Sequence, residues 1–185
     1  MSDLLVESQA AIPATPAPQV VRLPEHVVEV VSDPGEGAQK CCQIFGQLSA
    51  RMGNGVWTVE IIPAEIQPPP RLPEGASGIR IRIGSGKVTN WGDATNLVVA
   101  FNEQVLLCRH RLGALAPDAV LLVEDKWATS EDPDICAAWS SAMAELSERA
   151  YRVIPVPMEQ ECLTIMENPR KGKNMFVLGM LARIY

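Results

Sequence analysis

The chain predicts an α/β fold: a three-layer α/β/α sandwich built on a mainly parallel sheet. Short apolar runs of strand length alternate with longer stretches of helical periodicity from residue 26 onwards. The runs HVVEVV, TNLVVAF and AVLLVED are nearly continuously apolar, as strands covered on both faces are. The first run leads through a glycine turn, SDPGEGAQK, into a helix-like stretch.

In chain order, residues 1–23 carry Pro13, Pro16 and Pro18 among many alanines and read as a mobile or extended arm. A single domain is expected over 24–185. The run 26–31 predicts the first strand. Residues 37–52 predict a helix, with Ile44, Phe45, Leu48 and Met52 as its apolar stripe and Gly53 as its stop. A second strand is expected at 56–62. Residues 63–78 hold five prolines, which forbid regular structure, and a loop of that length in a compact domain is usually functional or mobile. IRIRIG (79–84) alternates strictly, with Ile79, Ile81 and Ile83 on one face and Arg80 and Arg82 on a face expected to be exposed and basic. Strands at 95–101, 119–125 and 151–157 complete the sheet. Helices are expected at 102–112, at 132–149, where Asp132-Pro133 gives a cap and a first-turn proline, and at 173–185. The sequence ends inside that apolar helix with no capping residue after Tyr185, which suggests that the natural polypeptide continues.

A net charge of −6 argues against a general nucleic-acid binder. No window approaches the length of apolar sequence a transmembrane helix needs, and the first residues lack the basic and apolar regions of a signal peptide. A cytoplasmic protein is the expectation, without membrane or nucleic-acid partners. The five cysteines include no C-x-x-C pair, so neither a zinc site nor an iron–sulfur cluster is expected on this chain; they read as reduced, mostly buried thiols.

In parallel sheets ligands bind at the carboxyl ends of the strands, where the turn 32–38, Asn102 and the segment after Val156 all fall. Gly35 and Gly37 permit positive φ and close backbone approach, and free N–H groups at the following helix start favour an anion. A dinucleotide fingerprint wants a third glycine where this chain has Lys40, although Glu60 could stand in for the ribose acid. A Walker A loop is absent from the sequence. A looser anion nest, with Lys40 in the first helical turn, fits best; an empty turn is the bland alternative. Arg80 with Arg82 read as a solvated face or as a subunit contact or phosphate clamp, the Arg109–Arg111 cluster as a basic helix end, and Arg170, Lys171 and Lys173 as a basic loop or as contacts to a phosphate or an acidic partner protein. Trp127 is a candidate for a subunit seam, and His26 reads as structural. Nothing places Glu103 with Glu124 and Asp125, so no catalytic residue is assigned.

SDPGEGAQK, PPPRLPEGASGIRIRIG, VVAFNEQ, AVLLVED and NPRKGKNMFVLG, in that order and at matching distances, resemble the gamma domain of the 2-oxoacid:ferredoxin oxidoreductases over roughly 25–185. Many members read G-E-G-G-Q-G at the turn; here Ala38 and Lys40 replace two glycines, a form similar to the coenzyme A turn of pyruvate oxidoreductases. The chain also resembles the amino-terminal part of fused alpha subunits of the 2-oxoglutarate enzymes. The resemblance implies oxidative decarboxylation of a 2-oxoacid, with 2-oxoglutarate preferred, on thiamine diphosphate and magnesium. Electrons would leave through [4Fe–4S] clusters to ferredoxin, and coenzyme A would capture the acyl group. The thiamine–magnesium motif is missing, since WGDATN (91–96) is too short, so these cofactors belong to other domains or subunits of a hetero-oligomer. The chain's implied share is support of assembly and part of the coenzyme A site: Gly35, Gly37, Ala38 and Gln39 through backbone N–H groups, Lys40 by charge, and Asn102 toward the pantetheine amides or as a helix cap. Asp33 and Glu36 sit awkwardly beside phosphate; either could cap the helix, meet the adenine amine or face a partner subunit. The competing reading is a stand-alone Rossmann-type nucleotide-binding module.

Overall fold

The computed structural model describes residues 20–169 and 172–185. The expected arm therefore falls mostly outside the described residues, as do Arg170 and Lys171. The chain runs β1 (Glu25–Ser32), α1 (Ala38–Arg51), β2 (Gly55–Ile61), β3 (Ser77–Gly84), β4 (Thr95–Ala100), α2 (Glu103–Arg111), β5 (Leu115–Glu124), α3 (Pro133–Ser147), β6 (Arg152–Val156), α4 (Met158–Leu163) and α5 (Lys173–Ile184). Short 3₁₀ turns occupy Pro73–Gly75 and Lys126–Thr129.

One six-stranded sheet has the order β2-β3-β1-β4-β5-β6. β1, β4, β5 and β6 are parallel, and β3 runs antiparallel to both β1 and β2. The expected mainly parallel three-layer sandwich is what forms. One face carries α1 and α5 over Val28, Val30, Ile79, Ile81, Leu97 and Val99. The other carries α2 and α3 over Val31, Val98, Ala100, Leu121 and Val123. The chain leaves β1 toward one face and β4 toward the other, so the adjacent carboxyl ends of β1 and β4 bound a crevice.

α1 corrects one sequence expectation. Leu48 and Met52 are exposed, and the buried stripe is Ala38, Cys41, Cys42, Phe45, Gly46 and Ser49. Small side chains let the helix sit close to the sheet: a Cβ on Gly46 would touch Thr58 and Val56 at 3.5 and 3.8 Å. The two cysteines are packing residues. Burial pushes the Cys41 thiol up to about 12 and raises that of Cys42 as well.

The basic face expected on β3 is also corrected. β3 lies inside the sheet, and Arg80 is buried. Its Nε donates to Oε1 of the fully buried Glu29 at 2.6 Å, and its Nη1 and Nη2 donate to the carbonyls of Gly92 and Ala114 at 3.2 Å. Arg109 completes the cluster, Nε to Oε2 and Nη2 to Oε1 of Glu29, both at 2.9 Å. Arg109 thus leaves the helix-end role to Arg111, which pairs with Glu145 at the surface. Burial would raise the Glu29 carboxyl, but the hydrogen bonds and charges of Arg109 and Arg80 overturn this and hold it below the ordinary carboxylate value.

No helix among the described residues is long and apolar enough to cross a membrane.

Candidate functional site: a glycine turn at the sheet crossover

β1 ends at Ser32, whose hydroxyl donates to the Asp33 carbonyl at 2.8 Å. The chain then turns through Gly35 and Gly37, both at φ +88°, a conformation that L side chains rarely adopt. Gly37 is the N-cap of α1, and no side chain caps the helix. The first turn of α1 also has no acidic residue, so its positive end is not neutralised locally. Capping of this helix by Asp33 or Glu36, one of the sequence expectations, does not occur. The Asp33 carboxylate instead accepts the Arg71 backbone N–H at 3.0 Å, and its Oδ1 is buried without a hydrogen-bond partner. Glu36 folds back onto the turn: its Oε2 accepts the Asp33 N–H at 3.1 Å and its Oε1 accepts from Lys173 at 3.0 Å.

The residues expected at the site are brought to one end of the sheet. Gly35 and Lys40 are exposed, Glu36, Gly37 and Gln39 are half-buried, and Ala38 is buried. Ala38 can therefore contribute only backbone. Val31 pairs with Ala100 in parallel register, and the Phe101 N–H reaches the Val31 carbonyl, so Asn102 emerges beside the start of the turn. Asn102 is fully buried and caps α2, its Oδ1 accepting the N–H groups of Gln104 and Val105 at 3.0 Å. Its Nδ2 is buried with no partner.

Two neighbours were not assigned to the site from sequence. α5 places Asn174 against the turn, where a Cβ on Gly37 would lie 2.6 Å from Asn174 Nδ2; the Asn174 Oδ1 is buried and unpartnered. Arg71, at φ +60°, fastens the proline-rich loop to the same end of the sheet. Its guanidinium grips the buried Glu103 carboxylate with both terminal nitrogens and lies 4.4 Å from the Trp127 ring centre. Lys126 lies 4.3 Å from that ring, and the indole N–H donates to the Phe101 carbonyl at 3.0 Å. Trp127 is thus half-buried within the chain's own structure. The signal for Lys173 and Asn174 was the segment NPRKGKNMFVLG, whose basic residues alone did not reveal which one turns inward.

Glu124, at the end of β5, is fully buried, and burial raises its carboxyl to about 7 against the pull of Lys173 and Lys126. A carboxyl raised on folding takes up a proton between its ordinary value and its folded one. Its stabilising contribution is therefore fully present below about 4.5 and is lost as the pH rises to about 7. Glu124→Gln is expected to remove that slope, so that its melting temperature falls less than the wild type's between about pH 5 and pH 8. Parallel thermal melts across this range check it; identical slopes would refute it.

The dinucleotide reading loses support from the topology. β3 separates β2 from β1, so Glu60 stands two strands away from the turn.

A mainly parallel α/β sheet with an uncapped positive-φ glycine turn at its crossover is an arrangement suited to an anionic ligand. The family model for pyruvate ferredoxin/flavodoxin oxidoreductase matches residues 29–185, and the chain belongs to that family. It is 28% identical over 178 residues to the 2-oxoglutarate oxidoreductase subunit KorA of Mycobacterium tuberculosis, covering 91% of this chain and 27% of that protein. Its fold matches the 2-oxoglutarate:ferredoxin oxidoreductase of Magnetococcus marinus, solved with 2-oxoglutarate, coenzyme A and succinyl-CoA bound. That match has a TM-score of 0.63 and 23% identity, over 89% of this chain and 25% of that one. It also matches the gamma subunit of the keto/oxoacid ferredoxin oxidoreductase of Geobacter sulfurreducens, with a TM-score of 0.57 and 15% identity, over 85% of this chain and 74% of that subunit. The fold is thus that of a gamma subunit, and the chain spans about a quarter of the length of the first two relatives.

Proposed function

We propose that this chain is the gamma domain of a 2-oxoacid:ferredoxin oxidoreductase, with 2-oxoglutarate as the oxoacid, and that it supplies part of the coenzyme A site. The reaction joins the oxoacid and coenzyme A into an acyl-CoA, with release of carbon dioxide and two electrons for ferredoxin. Thiamine diphosphate, magnesium and [4Fe–4S] clusters reside on other domains or subunits of the hetero-oligomer, in the cytoplasm. The chain's own share is binding and assembly. The family membership and the kinship with a 2-oxoglutarate oxidoreductase subunit support the reading.

One observation carries the coenzyme A assignment: α1 starts without a side-chain cap, at a positive-φ glycine turn beside the carboxyl end of β4. Coenzyme A carries about four negative charges on its phosphates. The N–H groups of residues 37–40 and the positive end of α1 suit its diphosphate. Lys40, exposed in the first turn, adds a movable counter-charge. Asn102 Nδ2, Asp33 Oδ1 and Asn174 Oδ1 are each buried without a partner, so a pantetheine arm would reach their hydrogen-bonding capacity only after local opening at this end of the sheet.

Lys40→Ala in the assembled enzyme is expected to weaken coenzyme A by about 1–3 kcal/mol, the range for a hydrogen bond to a charged group. Calorimetric titration measures it. Decarboxylation without coenzyme A should survive the change. Unaltered affinity would remove Lys40 from the site, and a native chain that never co-purifies with a thiamine-containing partner would remove the whole reading.

A further inference from the structure

We propose that Lys173 is a positioning residue for the turn: its ammonium holds the Glu36 carboxylate back from the amino end of α1 and so keeps the first-turn N–H groups open to an anion. The inference rests on the reading of that turn as a coenzyme A cradle.

Lys173 opens α5 and is only 3% exposed, which is unusual for a lysine. Three carboxylates from three elements face its Nζ: Glu36 of the turn at 3.0 Å, Glu124 of β5 at 4.0 Å and Glu159 of α4 at 3.9 Å. The Phe101 ring centre lies 4.7 Å away, and the other cation of the cluster, Lys126, binds Glu159 at 2.6 Å. Glu36 immediately precedes the N-cap Gly37. A free carboxylate at that point is drawn onto the positive end of the helix, where it would occupy the place of a bound phosphate. In the structure its two oxygens are held by the Asp33 N–H and by Lys173 instead. The negative side chain that looked misplaced beside phosphate is thereby neutralised and turned aside. The next residue, Asn174, packs on Gly37, so both residues at the tip of α5 shape the turn.

The test uses the fully assembled enzyme with coenzyme A as probe. Lys173→Met is expected to raise the coenzyme A Kd and KM at least about tenfold, while the oxoacid KM stays within about twofold. Adding Glu36→Gln to Lys173→Met should bring coenzyme A affinity back to within about threefold of wild type, because the competing charge is gone. A purely structural role for Lys173 predicts no such rescue. Lys173→Met that binds like wild type, or a double variant as weak as the single one, overturns the inference. Should Lys173→Met fail to assemble, the double variant decides alone: affinity within about threefold supports the inference and a tenfold loss overturns it. If Lys40→Ala weakens coenzyme A while Lys173→Met does not, the positioning role alone fails. If the wild-type enzyme does not bind coenzyme A, the underlying reading fails.

Discussion

Glu29→Ala is expected to destabilise the fold by about 3–5 kcal/mol, the cost of stranding a buried charge. The Glu29 carboxylate is fully buried in the middle of β1 and receives three hydrogen bonds from Arg80 and Arg109. Removing it leaves two guanidinium groups facing each other across a cavity, with the Gly92 and Ala114 carbonyls as the remaining partners of Arg80 among the described residues. The exposed Arg111–Glu145 pair is the comparison: Arg111→Ala is expected to leave stability nearly unchanged, because surface pairs are screened. Urea unfolding of both variants measures the contrast, and a Glu29→Ala loss below about 1 kcal/mol would refute the argument. The pH sign follows from the lowered Glu29 carboxyl. Its stabilisation is present above the ordinary carboxylate value and is lost as the pH falls through the folded one, so the wild type should lose stability on acidification more steeply than Glu29→Gln.

That cluster also shows where sequence reasoning stops. Strict alternation in IRIRIG located β3 and the two faces of its side chains correctly. It could not show that α2 and the segments around Gly92 and Ala114 cover the arginine face. Register decides the ion pair: Arg80 stands opposite Glu29, and only strand pairing between residues 51 positions apart creates that contact. Helical periodicity in α1 likewise placed the helix and the Ile44–Phe45 part of its buried stripe but extended the stripe wrongly to Leu48 and Met52. Leu48 and Met52 looked like core by hydrophobicity, while close approach to the sheet selects small residues instead.

The geometry of the turn and the cap was legible where backbone chemistry dictates sequence. Gly35 and Gly37 announced positive φ, and both adopt it. Asn102 announced a cap, and it is one. Lys173 and Asn174 of α5 and Arg71 of the proline-rich loop were not legible as neighbours of the turn, because both segments lie far from it in the chain. Glu36 and Lys173 are 137 residues apart, and a lysine in a basic run carries no local mark of burial. The six-residue helix α4 was missed for a related reason. It is too short to show a periodic stripe, yet its N-terminal Met158 is a fully buried core residue and its Glu159 faces Lys173.

Gly37→Ala is expected to lower coenzyme A affinity in the assembled enzyme at least about tenfold, or roughly 1.4 kcal/mol. Two effects add. An alanine at φ +88° is strained, at a cost of about 1–2 kcal/mol. The new methyl would also stand 2.6 Å from Asn174 Nδ2 and 3.1 Å from Asn174 Cβ, so the Asn174 side chain must rotate away and its backbone give slightly. That rotation displaces the unpartnered Asn174 oxygen, and the strain at φ +88° disturbs the first-turn N–H groups beside it. Gly35→Ala separates the two effects: it has the same φ, but nothing lies within 4 Å of its added carbon. Gly35→Ala should therefore show the backbone strain in its melting temperature and weaken coenzyme A less than Gly37→Ala does. Calorimetry and thermal melting of the two variants make the comparison. Equal losses of affinity would show that backbone strain alone matters and that the contact with α5 does not shape the site.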